Sequence, residues 1–197
     1  GAPPHSQRGR VADEYISVFR ELWKNNNPKF IGDYANFSDI IFEPKPIQIH
    51  GPPIWIGGEG NAALKRVARV GDGWYPIAHN PKFPLDTIDR YKSKLNILNG
   101  FMDKSERILE ELDLGLFIML WGSKPGKMLL PIGKKGPSTD RNRRLMSGSA
   151  QQMVEDVQSL RELGVKTLNL NFEAETLEET CDCMERFACE VIGPSTH

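Results

Sequence analysis

Apolar residues recur at helical spacing from Arg10 to Lys24, where Val11, Tyr15, Val18, Phe19 and Leu22 fall together beside Trp23. Asn25-Asn26-Asn27-Pro28 ends this predicted helix, because asparagine favours turns and proline cannot continue a helix. A long loop follows at about 25–53, with Phe30, Tyr34, Phe37 and Phe42 among Pro44, Pro46, Pro52 and Pro53. So many aromatic residues predict an ordered excursion with a short strand or two rather than a disordered linker.

From Ile54 the pattern becomes an alternation. Ile54-Trp55-Ile56 is a short apolar strand, Gly57-Gly58-Glu59-Gly60 a turn, and Leu64, Val67, Ala68 and Val70 the inner side of a helix. Gly71-Asp72-Gly73 makes a corner into a second strand, Trp74–Ile77. Helices are predicted over Leu85–Leu98 and Ser105–Leu112, and a third strand over Leu114–Trp121. A surface loop occupies 122–149. Ser149 is placed to cap a helix that runs to Leu163, with Met153, Val157 and Leu160 inward and Gly164 at its C′ position. A fourth strand covers Lys166–Phe172 after Val165. The closing helix, about Thr176 to Ile192, carries one apolar stripe: Leu177, Cys181, Met184, Phe187 and Val191. Strands alternating with helices imply an α/β fold with a parallel sheet and crossover helices, here in a single domain over 1–197.

Composition narrows the function classes. The 197 residues hold 25 Lys+Arg and 26 Asp+Glu, a formal net charge of −1, so there is no electrostatic case for nucleic acid or an anionic membrane. No apolar run reaches the roughly 18 residues needed to span a bilayer. The chain begins Gly1-Ala2-Pro3-Pro4, without a methionine and without a charged-then-apolar leader, which reads as a trimmed start. Cys181, Cys183 and Cys189 are an odd, clustered set that makes a poor disulfide framework, and this points to the cytoplasm.

The candidate chemistry centres on Gly57, Gly58, Glu59 and Gly60. Glycines let the backbone approach a ligand, and a helix N-terminus offers free N–H groups to an anion such as phosphate. A tight turn with no ligand is the plain alternative, and Glu59 would repel phosphate unless it faces away. Trp74 and Tyr75 are candidates to line a ring pocket or to pack in the core. His79, just after the second strand, is the candidate general acid or base. None of His5, His50, His79 and His197 has metal-ligand spacing, so no metal is expected. Cys181 is assigned to the core and Cys183 to the surface. Ser123-Lys124-Pro125-Gly126-Lys127 lacks the P-loop pattern, and Arg141, Arg143 and Arg144 read as a solvated group that reaches an anion only if its loop folds over the site.

Several blocks stand in a familiar order: Arg8-Gly9-Arg10 with Asp13-Glu14-Tyr15, then Leu22-Trp23, Phe30-x-Gly32 and Glu43-Pro44-Lys45-Pro46-x-Gln48. Pro52-Pro53-Ile54-Trp55-Ile56-Gly57-Gly58, Ala63-Leu64-Lys65-Arg66-Val67-Ala68, Gly71-Asp72-Gly73-Trp74 and Leu145-Met146-Ser147-Gly148 follow, with 153–172 after them. This succession resembles the bacterial luciferase-like monooxygenase family, particularly its oxidoreductases that use the deazaflavin coenzyme F420. The resemblance implies a TIM-barrel enzyme that moves a hydride between F420 and a small organic substrate, or that activates oxygen on reduced FMN. It implies further that Gly57 and Gly58, with Glu59 and Gly60 adjoining, hold the cofactor phosphate, and Trp74 stays a candidate cofactor-binding residue on its own reading as a ring neighbour.

The matching blocks belong to the second half of that barrel, from the helix after its fourth strand onward. About four β/α units are therefore expected, half of a barrel. Such a sheet has two unpaired edges and an uncovered inner face, which a homodimer would hide. A non-catalytic half-barrel, binding a flavin-type phosphate or serving only as a dimerising remnant, is the alternative to an enzyme.

Overall fold

The computed structural model describes residues 3–120, 143–172, 174 and 176–195. After a single 3-10 turn, α1 runs over Arg8–Lys24 and stops at Asn25, as the asparagines and Pro28 require. Within the long excursion Phe30–Ile31 (β1) and Asn36–Phe37 (β2) pair as a small antiparallel ribbon. Glu14 of α1 holds that ribbon's turn: its carboxylate accepts the N–H groups of Asp33, Tyr34 and Ala35 at 2.7–2.9 Å.

Four parallel strands follow: β3 (Trp55–Ile56), β4 (Gly73–Trp74), β5 (Asp113–Leu120) and β6 (Val165–Phe172). They lie side by side in chain order, β3-β4-β5-β6. The connecting helices are α2 (Asn61–Val70), α3 (Ile88–Lys104) and α4 (Ala150–Glu162), and α5 (Leu177–Phe187) closes the chain through a π-helical turn, Ala188–Ile192, and a last helical turn. Strand order that never reverses is the winding of a barrel rather than of a doubly wound sheet. With four β/α units and open edges among the described residues, the fold they form is half of a TIM barrel.

The core lies between the sheet and its helices. Leu114, Leu116 and Ile118 of β5 point into it, and they meet Leu64 and Val67 of α2, Tyr91, Leu98 and Met102 of α3, and Leu160 of α4. Alternate residues face the other way, as the two-residue strand period demands. There Trp55, Tyr75 and Phe117 form an aromatic row, with ring centroids 5.7 Å apart for Trp55–Tyr75 and 6.4 Å for Tyr75–Phe117. Glycines make room for it: a Cβ on Gly115 would fall 2.6 Å from the Tyr75 ring. Among the described residues no helix covers this face, and Trp55 remains 37% exposed.

Several boundaries move from their expected places. The helix expected from Leu85 begins at Ile88, because the Thr87 hydroxyl caps it by accepting the Arg90 N–H, while Leu85 donates its own N–H to the Ala78 carbonyl. It runs on to Lys104. The short helix expected over Ser105–Leu112 is reduced to one 3-10 turn, Leu109–Glu111. Glu106 sits at φ +55°, and Arg107 N–H and Glu106 N–H reach back to the Met102 and Asp103 carbonyls, so α3 ends there in a Schellman turn. Ser149 caps α4 in a capping box with Gln152, and Gly164 follows that helix at φ +87°, both as expected.

The closing helix departs most. Phe187 and Val191 are buried, whereas Leu177, Met184 and Cys181 are exposed and Cys183 is half-buried, the reverse of the assignment made for the two thiols. Among the described residues of this stretch, Phe187 and Val191 are the ones that belong to the hydrophobic core. Likewise Tyr15 and Phe19 of α1 are exposed, and Ile16 and Val18 are the buried residues. The loop expected at 122–149 lies outside the described residues up to 142, together with Trp121, Ser123–Lys127 and Arg141. Its end is anchored: Arg143 grips both carboxylate oxygens of buried Asp156 at 2.9 and 2.5 Å.

Candidate functional site

The C-terminal ends of β3 and β4 bring the candidate residues together. The chain leaves β3 at Gly57, which is exposed, and turns at Gly58, whose φ of +106° lies in the region that favours glycine. Gly60 is the N-cap of α2 and provides no side chain to satisfy the first-turn N–H groups of that helix. A ten-residue helix therefore presents unengaged donors and its positive dipole end beside a turn of glycines.

Glu59 does not occupy that opening. Its side chain turns into the protein, 4% exposed, and accepts hydrogen bonds from the Ile77 N–H at 2.8 Å and from the Asn80 amide at 2.5 Å. The carboxylate that would repel an anion is thereby withdrawn, and it ties the turn after β3 to the loop after β4. Asn80 passes the restraint on, since its Oδ1 accepts the N–H groups of Lys82 and Phe83 at 2.9 and 3.2 Å. Phe83 in turn lies against the glycine turn, where a Cβ on Gly60 would be 3.4 Å from its ring.

Trp74 lies under the turn and has no exposed surface. Its indole N–H donates to the Gly58 carbonyl at 3.0 Å, and its ring stacks on Tyr91 at 5.5 Å. It holds the glycine backbone from below, whereas Tyr75 is the neighbour that lines the open face. Asp72 of the corner before β4 accepts the Ile54 N–H at 2.8 Å, the structural use expected of it.

His79 stands beyond the end of β4, half-buried, with its Nδ1 enclosed and without a hydrogen-bond partner. Burial lowers its pKa. The Asp86 carboxylate opposes that shift and the Arg144 guanidinium reinforces it. Asp86 itself is buried, with salt bridges to Arg90 at 2.5 Å and Arg144 at 3.3 Å. The structure thus groups Gly57, Gly58, Glu59, Gly60 and Trp74 in one unit and sets His79 near it. Asn80, Phe83 and Asp86 belong to the same assembly and carry no signal in the sequence, because their partners lie on separate loops. No group of three or more His, Cys, Asp or Glu side chains is placed to hold a metal among the described residues. No described helix is long and apolar enough to cross a membrane.

Comparison with known proteins bears on this arrangement. Residues 1–97 match the luciferase-like monooxygenase family. An FMNH(2)-dependent dimethylsulfone monooxygenase of Pseudomonas putida is 38% identical over 71 residues, 36% of this chain and 19% of that protein. Among solved structures, an F420-dependent secondary alcohol dehydrogenase in complex with an F420-acetone adduct superposes with a TM-score of 0.69 at 16% identity, over 97% of this chain and 64% of that one. Monooxygenase RslO1 from Streptomyces bottropensis gives 0.68 at 18%, over 98% and 63%. These two likenesses are of fold. The chain spans less than two thirds of the length of each of the three proteins.

Proposed function

We propose that this luciferase-like chain holds the phosphate of a flavin-type cofactor on Gly57–Gly60 and the first turn of α2. The cofactor serves an oxidoreductase acting on a small organic substrate, with F420 the favoured cofactor and FMN the alternative. The observation that carries the reading is the inward turn of Glu59, which leaves backbone N–H groups and glycine at a helix N-terminus. When bound, the deazaflavin supplies hydride transfer, and a reduced flavin would supply oxygen activation. The chain's own residues position it: Trp74 fixes the Gly58 carbonyl, Glu59 fixes the opposite loop, and Tyr75 offers a ring on the open face. His79, whose pKa burial lowers, is the general acid or base of this reading. With all three cysteines as thiols, the reading places the chain in the cytoplasm.

The open aromatic face, the free edges of β3 and β6, and the exposed stripe Leu177–Cys181–Met184 call for a cover. A second copy related by a two-fold axis supplies it in this proposal, bringing four strands from each chain into one barrel. Sedimentation at micromolar concentration tests it: a dimer supports the assembly, and a folded monomer overturns it. The open face also favours the second reading, a half-barrel without catalysis. Titration with F420 and with FMN, followed by fluorescence, separates the two. Binding of either supports the cofactor reading, and binding of neither at high concentration overturns it.

A further inference from the structure

β6 departs from the pattern of a buried parallel strand. A strand covered on both faces carries apolar residues throughout, whereas Thr167-Leu168-Asn169-Leu170-Asn171-Phe172 alternates. Leu168, Leu170 and Phe172 pack against the core. The pairing register places the polar half: Thr167 lies opposite Gly115 and Asn169 opposite Phe117, which in turn bridges to Ile77. Directly opposed residues share a face of the pleat, so Thr167, Asn169 and Asn171 stand on the open face beside the stacked rings of Tyr75 and Phe117. Thr167 and Asn169 are exposed and Asn171 is half-buried, and among the described residues no hydrogen bond engages any of these three side chains.

The open face is therefore two-sided, aromatic over β3 to β5 and hydrogen-bonding over β6. Its Ile77–Phe117–Asn169 row lies toward the C-terminal ends of the strands, and the Ile77 N–H is the one that Glu59 of the glycine turn accepts. Asn171 continues the ladder toward that same end. No carboxylate, ammonium or guanidinium belongs to this row. Asp113 and Lys166, at the other end of the strands, pair with each other at 3.0 Å. A purely apolar ligand here would strand two carboxamides, and an ion would lose hydration without gaining a counter-charge. A carboxamide both donates and accepts, which suits a neutral hydroxyl or carbonyl group.

We infer that Asn169 and Asn171 set the substrate specificity of this face, and that its substrate is an uncharged molecule with a compact carbon body and two or more hydroxyl or carbonyl oxygens. The inference rests on the reading of the chain as a flavin-type oxidoreductase, and it names the substrate class of that site. The carbon body lies against Tyr75 and Phe117, and the oxygens meet carboxamides two residues apart, about 6.6 Å along the strand. A second oxygen met by the second carboxamide tightens binding about three- to tenfold, the net worth of one neutral hydrogen bond.

The test titrates three probes built on one six-carbon ring into the full chain: cyclohexanol, cyclohexane-1,4-diol and 4-hydroxycyclohexanecarboxylate. The side-chain amide ¹⁵N resonances of Asn169 and Asn171 report contact, and the Phe117 backbone amide gives affinities both in the wild type and in an Asn169→Val/Asn171→Val variant. The inference expects the diol to bind more tightly than cyclohexanol by that factor in the wild type, the carboxylate to bind more weakly than the diol, and the diol's advantage to vanish in the variant. The wild-type series decides the ligand class by itself should the variant fail to fold. Equal affinities of diol and cyclohexanol in the wild type, a diol preference that survives in the variant, tightest binding by the carboxylate, or no shift with any probe overturns the inference. FMN and F420, titrated separately, read the cofactor site through the Gly58 and Gly60 amides, so shifts there uphold the cofactor reading whatever the ring probes do. If neither cofactor moves those glycines while the diol moves the two carboxamides, the redox reading fails and the ligand class of the face stands.

Discussion

Glu59 and Asn80 lie on different loops, yet the carboxylate and the amide meet at 2.5 Å and fasten the end of β3 to the end of β4. The second oxygen of Glu59 accepts the Ile77 N–H at 2.8 Å, so both oxygens face donors inside the protein. Glu59→Gln replaces one acceptor with an NH2 group that must confront a donor. We expect a loss of about 2 kcal/mol in urea unfolding from the missing bond and the orphaned partner. Glu59→Asp, too short to reach both donors, is expected to lose a similar amount. Either variant with wild-type stability would show that the two loops are held together by other contacts.

Trp74 makes the same turn rigid from beneath. Trp74→Phe keeps a ring to stack on Tyr91 but removes the N–H that the Gly58 carbonyl accepts. The expected cost is about 2 kcal/mol, from one lost hydrogen bond and a small cavity. If Gly58 contributes to the anion site, FMN or F420 affinity should fall along with stability, which a titration of the still-folded variant reads directly.

Gly73 leaves no room for a side chain. An added Cβ would lie 2.8 Å from the Asp113 carbonyl of the neighbouring strand and 2.6 Å from the Trp55 ring. The ring can move and the backbone carbonyl of a paired strand cannot. Gly73→Ala should therefore destabilise by about 2 kcal/mol and shift the emission of Trp55, measured by thermal melting and tryptophan fluorescence. Gly100, where nothing lies within 4 Å of an added Cβ, is the control, and Gly100→Ala in α3 should be neutral or stabilising.

The buried side of His79 predicts an acid-sensitive fold. Desolvation lowers its pKa below the unfolded value of 6.5, Arg144 adds to this and Asp86 opposes it. The unfolded chain therefore takes up the proton first, and stability present above pH 6.5 is lost as pH falls from there through the lower folded pKa. Urea midpoints measured from pH 8 to pH 5 should decline, and His79→Gln should flatten that decline. An unchanged slope in the variant would assign the loss to other groups.

The thiols give a readout of the closing helix. Cys181 and Cys189 are exposed, and Cys183 is half-buried with its pKa pushed up by burial and by Asp182 and Glu179, against the pull of Arg186. A thiolate-directed reagent at pH 7.5 should label Cys181 and Cys189 before Cys183, as followed by mass spectrometry. Protection of Cys181 that disappears on dilution would mark the first turns of α5 as the covered surface in an assembly.

Periodicity and turn chemistry along the chain determined most of the fold. Four strands alternating with helices, the cap at Ser149 and the left-handed Gly164 are local facts, written in adjacent residues, and the glycine turn was legible for the same reason. Local pattern also misled where it stood alone. The stripe Leu177–Cys181–Met184 has helical spacing, but spacing says which residues share a face and not whether anything covers it. Only the tertiary structure decided that Glu59 turns inward, that Trp74 supports the turn from the core, and that Asn169 stands opposite Phe117 on the open face. Each of those depends on strands brought side by side from distant parts of the chain, and the distance between two loops is a property that no single stretch of residues contains.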